Sequence, residues 1–150
     1  MASENPTIHA TAVLTGPKAM LIRGPAGAGK SRLAWDVIEA AGGALPFARL
    51  VADDRVFVEA HAGRLLVRPV AELAGMLEIR GLGIRRLPYE TLAVVGLVVD
   101  LAAADAARLP PQAAGTAELS GVTLPRLTVA SGMPALPLVL AALRTPPMDD

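Results

Sequence analysis

Gly24-Pro25-Ala26-Gly27-Ala28-Gly29-Lys30-Ser31 decides how this chain folds. The stretch fits the phosphate-loop pattern G-x-x-x-x-G-K-[ST] at every fixed position. Glycines let the backbone turn tightly and approach a phosphate with no Cβ in the way. Several N–H groups then point into one concavity and bind oxyanions. The helix that follows sets its positive end against the same anion. In such a loop Lys30 reaches the β- and γ-phosphates, and the Ser31 hydroxyl holds magnesium.

The flanks give the motif its context. Ala19-Met20-Leu21-Ile22 is a short apolar run and predicts a buried strand. Leu33, Ala34, Val37, Ile38 and Ala41 recur at helical spacing, and Gly42-Gly43 ends that helix. A glycine-rich turn with a chance lysine would not bring strand and helix with it. The predicted fold class is α/β, a P-loop-containing mixed β-sheet core with flanking helices. The loop does not name a reaction, because ATPases, GTPases and kinases share it.

Composition narrows the classes. The chain has 150 residues, 53% hydrophobic and 19% charged, which suits one folded domain and excludes a disordered chain. Residues 1–7 and 145–150 read as flexible tails. Aromatics make up 3%, so the core must be built from Ala, Val, Leu and Ile. Fourteen basic residues balance 14 acidic ones, which argues against an electrostatic hold on nucleic acid or a membrane surface. There is no cysteine, so disulfides and thiolate metal sites are out and a cytoplasmic location is expected. Met1-Ala2-Ser3-Glu4-Asn5-Pro6 shows no signal peptide. The longest apolar run, Met133 to Leu143, is too short to span a bilayer and holds two prolines.

Further along, Ile8 to Leu14 alternates and predicts a first strand, with His9 near its start. A lone histidine is more often structural than catalytic. Leu50-Val51-Ala52 is an apolar run ending in Asp53-Asp54-Arg55. Acidic residues at the carboxyl end of an apolar strand are what magnesium coordination uses in phosphate-loop sites. Adjacent side chains on a strand face opposite ways, so the two aspartates need not share a role. Val56 to Ala60 and Arg64 to Arg68 predict a β-hairpin around Ala62-Gly63, with His61 solvated at its tip. In Leu73 to Arg86, extended backbone would point Glu78 and Arg80 the same way. Gly81 and Gly83 would let that segment pass close to a ligand. Leu92 to Leu101 predicts a buried strand. Leu119, Val122 and Leu124 suggest another around Gly121, Arg126 to Val129 a short one, and Ala135 to Leu143 a closing helix.

Together, Ile8-His9, the phosphate loop, Leu50 to Val56 (LVADDRV) and Leu77 to Ile84 (LEIRGLGI) resemble the C-terminal catalytic domain of HPr kinase/phosphorylase. LEIRGLGI is the most specific piece, since other phosphate-loop families do not carry it after an Asp-Asp strand. The resemblance runs from His9 to Leu143. It implies a serine kinase that uses ATP, or pyrophosphate in some members, with Mg2+. Its acceptor would be a serine of the phosphocarrier protein HPr in a phosphotransferase system. The reverse step in the family is phosphorolysis.

The resemblance gives Gly24, Pro25, Ala26, Gly27, Ala28, Gly29, Lys30 and Ser31 to the nucleotide. It matches His9, Lys30, Asp54 and Arg108 to catalytic positions. Ser31, Asp53 and Glu78 are the magnesium candidates. Asp54 is the candidate base for the serine hydroxyl; the reverse assignment of the aspartate pair stays open. The chain looks like the short proteobacterial form that lacks the N-terminal domain. Longer members are hexameric, which makes a homo-oligomer an expectation. Thr128 to Pro134 (TVASGMP) lacks the arginines that longer members carry in a region tied to dephosphorylation. Kinase activity is therefore expected before phosphorylase activity. Two other readings are an ATP-binding sensor without transfer and a phosphate-loop kinase of small molecules.

Overall fold

The computed structural model describes residues 6–104, 106 and 115–146. Arg108 and most of the two expected tails lie outside them. Nine strands among the described residues form one mixed sheet, and a separate hairpin forms a second. Membership of the strands is wider than the hydrophobic runs suggest, because several pair across long stretches of chain.

The sheet is built around β9 (Ala93–Leu101), the apolar run near the middle of the chain. On one side it pairs in parallel with β3 (Ala19–Arg23), in the register Leu21 to Val98, Ile22 to Val99 and Arg23 to Asp100. It also pairs in parallel with β11 (Val122–Val129) over Arg126 to Val129. Its first residues pair antiparallel with β6 (Arg64–Pro69). Beyond β3 come β2 (Thr11–Leu14) and then β4 (Arg49–Ala52), each antiparallel to its neighbour. β5 (Val56–His61) forms the predicted hairpin with β6, and β1 (Thr7–Ile8) lies along its outer edge. Ala62 and Gly63 turn that hairpin with φ of 53° and 79°, the paired left-handed conformation that matches strand twist.

Two apolar cores follow from side-chain alternation. Leu21 and Val98 face one core with Val51, Val56, Val58, Leu65 and Val67. Among the described residues no helix contributes to it; the sheet curls so that its own strands cover it. Met20, Ile22 and Val99 face the other, against α1 (Lys30–Glu39) and α2 (Ala135–Arg144). Leu33, Ala34 and Val37 of α1 and Val139 of α2 are buried there. Each such Leu or Val contributes roughly 1.5–3 kcal/mol by leaving water. Neither helix is long and apolar enough to cross a membrane.

Four sequence expectations are corrected. Ile8 to Leu14 is not one strand: it breaks at His9-Ala10, so that β1 pairs with β5 while β2 pairs with β3 and β4. Gly121 is not inside a strand but in a turn with Ser120, joining β10 (Thr116–Leu119) to β11. β11 then runs unbroken through Pro125. Proline is tolerated there because β11 changes partner at that point, from β10 to β9. The Leu73 to Arg86 segment is a hairpin of β7 (Met76–Ile79) and β8 (Gly83–Arg86). Arg80 and Gly81 lie in its turn, closed by Leu82 N–H to the Ile79 carbonyl at 2.9 Å, so Glu78 and Arg80 do not share an extended face. Thr7, expected in a flexible tail, pairs with Phe57.

Candidate active site

The glycine loop leaves the carboxyl end of β3 and enters α1. Gly24 sits against the end of β9: a Cβ there would lie 3.1 Å from the Leu101 carbonyl oxygen and 3.2 Å from the Leu101 Cβ. Gly29, at φ 100°, starts the helix from a left-handed conformation that a side chain would resist. No side chain caps α1, and no acidic residue stands in its first turn, so its positive end is open to an anion. Lys30 folds back over the loop, its Nζ donating to the carbonyls of Gly24 at 2.8 Å and Pro25 at 3.3 Å.

Asp53 follows β4, which runs parallel to β3, so its carboxylate reaches the same end of the sheet. It is buried, at 8% exposure. Ser31 Oγ donates to its Oδ1 at 2.7 Å. Thr11 Oγ1 donates to the same oxygen at 2.9 Å. The backbone N–H of Glu78 donates to Oδ2 at 3.3 Å. Serine of the loop, aspartate of the pair and backbone of the LEIRGLGI segment therefore meet at one carboxylate. All three donors are neutral, so the negative charge at Asp53 is solvated without being cancelled.

Asp54 differs from its neighbour. Its side chain is exposed and its φ is 71°. The Arg55 N–H donates to the Asp53 carbonyl at 2.8 Å, which closes a three-residue γ-turn with Asp54 at its centre. That form of turn is rare and strained for a non-glycine residue, and such strain clusters at functional sites. The turn is held by the Asp54 N–H, which donates to Thr11 Oγ1 at 3.3 Å. Arg55 in turn touches Thr7 Oγ1 at 3.0 Å and His9 Nε2 at 3.3 Å. His9 thus joins the group through Arg55.

Glu78 is exposed on β7 and reaches Asp53 through its backbone, not its carboxylate. Among the described residues no three His, Asp or Glu side chains stand close enough to cage an ion. Ser31 and Asp53 do supply two adjacent hard oxygens. That is a fit for magnesium, which keeps several waters and is held by one or two carboxylates together with substrate phosphates.

Two features were not read from the sequence. The first is Asp100, buried at 7% exposure at the end of β9. Arg23 grips it with two bonds, Nε to Oδ1 at 2.7 Å and Nη2 to Oδ2 at 2.8 Å, and Arg126 Nε meets Oδ2 at 2.5 Å. Burial pushes the Asp100 carboxyl up, but the bonds and charges of the two arginines outweigh it and hold the group below the usual carboxylate range. Its signal was available: it is the lone charged residue in the run Leu92 to Leu101. The second is a cleft of about 420 Å³ beside the loop, between α1 and α2. Leu33, Leu101, Val129, Met133, Pro134 and Leu136 wall it, with the ion-paired Arg32 and Asp36.

Residues 2–89 match the family model of the HPr serine kinase C-terminal domain. Among solved structures, the fold is similar to the HPr(Ser) kinase/phosphatase from Coxiella burnetii, with a TM-score of 0.75. That likeness covers 93% of this chain and 94% of the other at 22% sequence identity. No curated protein matches the sequence significantly.

Proposed function

Because the chain belongs to the HPr serine kinase C-terminal domain family, we propose that it is an ATP-dependent protein-serine kinase acting on a serine of HPr. The observation that carries this reading is the contact between Ser31 and Asp53, set beside an outward-turned Asp54. In this reading one carboxylate serves the donor and the next meets an acceptor.

The loop Gly24 to Ser31 binds the phosphates of ATP through its N–H groups and the α1 terminus. Lys30 exchanges its contacts with the loop carbonyls for the β- and γ-phosphates. The cleft beside α1 and α2, with its apolar side chains and the paired Arg32 and Asp36, takes the nucleoside end. Ser31 and Asp53 would hold magnesium, with Glu78 assigned a second contact by its match to the family; the ion would supply positive charge to the phosphate oxygens when bound. Asp54 accepts the proton of the HPr serine as its oxygen attacks the γ-phosphorus. A serine O–P bond forms, the bond from the γ-phosphorus to the bridging oxygen breaks, and ADP leaves. Arg108 is assigned to the transferring phosphoryl by its match to the family, and His9 to orienting the Asp54 side through Arg55.

The test is transfer of labelled phosphate from ATP to purified HPr. Wild type yields phosphoserine, while Lys30→Ala and Asp54→Asn lose transfer and keep their fold. Tight ATP binding with no phospho-HPr would replace this reading with a nucleotide sensor. A metabolite that accepts phosphate in place of HPr would replace it with a small-molecule kinase.

A further inference from the structure

We infer that Thr11 is a positioning residue for this site, its hydroxyl tying the Asp53 carboxylate to the turn that presents Asp54. The inference rests on the kinase reading above. Thr11 is fully buried in β2 and pairs with Ile22, close to where β3 gives way to the glycine loop. Its neighbours Ala10 and Ala12 are apolar and equally buried. A hydroxyl in that setting needs partners, and Thr11 has two that belong to the site.

The hydroxyl proton goes to Asp53 Oδ1 at 2.9 Å, and the oxygen accepts the Asp54 N–H at 3.3 Å. The first bond gives Oδ1 a second donor beside Ser31. With Thr11 and Glu78 N–H in place, Ser31 can turn its proton away without leaving the carboxylate unsolvated. The second bond gives an acceptor to the N–H at the centre of a strained turn. One oxygen atom therefore fixes both the rotamer of one aspartate and the backbone of the next. Groups that orient a metal ligand without touching the metal act in this way, and their loss costs about 10- to 100-fold in metal affinity or activity.

Thr11→Val keeps the shape and removes the hydroxyl; Thr11→Ser keeps the hydroxyl and removes the methyl. In Thr11→Val, kcat for transfer to HPr falls about 10- to 100-fold while KM for ATP stays within about threefold. The affinity of the nucleotide-loaded protein for Mn2+, read by electron paramagnetic resonance, weakens about tenfold. Thr11→Ser restores both within about threefold. Thr11→Ala, which also lacks the hydroxyl, serves in place of Thr11→Val should the latter not fold. Equal kcat and equal Mn2+ affinity in wild type and the folded hydroxyl-less variant would overturn the inference. So would loss of both in Thr11→Ser at unchanged thermal stability. Mn2+ binding needs no acceptor protein, so it decides the role of Thr11 separately from whether HPr is the substrate.

Discussion

Two buried carboxylates stand at the carboxyl end of the sheet, and they are held in opposite ways. Asp53, at 8% exposure, receives two hydroxyls and one backbone N–H. Asp100, at 7% exposure, receives two guanidiniums. The number of partners is similar, but the charge is not. Neutral donors solvate Asp53 and leave its charge to attract a cation. Arg23 and Arg126 consume the charge of Asp100 and turn it into a clamp across β3, β9 and β11. Arg23 immediately precedes Gly24, so the clamp also fixes where the glycine loop begins. Burial alone does not distinguish the two carboxylates; the chemistry of their donors does.

Exchanging each carboxylate for its amide should separate the two roles. Asp53→Asn is expected to lower phosphoryl transfer by about 10³-fold, equivalent to about 4 kcal/mol of barrier, with its urea midpoint close to wild type. Asp100→Asn should do the reverse. Breaking an ion pair of this kind costs about 3–5 kcal/mol, and the low end applies because Arg23 keeps some contact with water. Urea unfolding measures this, and the folded fraction should retain most of its transfer activity. Equal stability losses in the two variants would erase the contrast.

The Asp100 clamp also predicts a response to acid. The folded value of Asp100 lies below the unfolded one of about 3.9. Its contribution to stability is therefore fully present above that pH and is lost as pH falls through the depressed value. The stability gap between wild type and Asp100→Asn should hold from pH 7 to about pH 5 and narrow below about pH 4. A gap that stays constant to pH 3 would remove the charge clamp as its cause. The smallest effect should come from Arg32, whose bond to Asp36 is made by a side chain 79% exposed. Arg32→Ala should change stability by under about 0.5 kcal/mol, measured in the same urea titration.

The glycine loop between a strand and a helix was legible because all its requirements are local. Glycines, Lys30 and Ser31 fall within eight residues, and a strand and a helix adjoin them. The Asp53-Asp54 pair was legible as acidic residues ending an apolar run, and the β5–β6 hairpin as two alternating runs around Ala62-Gly63. Other features were not. Thr11 looks like any polar residue in a strand, and its partners lie 42 and 43 positions away. Arg23 and Arg126 are 77 and 26 positions from Asp100. Pro125 hid the continuity of β11, because the rule against proline in strands does not foresee a strand that changes partner at that residue.

By itself the sequence determined the local chemistry: a glycine loop entering a helix, two acidic residues after a strand, and an apolar pattern that must be buried. Only the tertiary structure decided which aspartate lies inside. Both follow the same strand and carry the same side chain, so composition and period treat them alike. The parallel run of β4 and β3 brings Asp53 under Ser31, and the γ-turn at φ 71° carries Asp54 outward. Pairing register and a single backbone angle are set by contacts distant in the chain, which is why no local pattern records them.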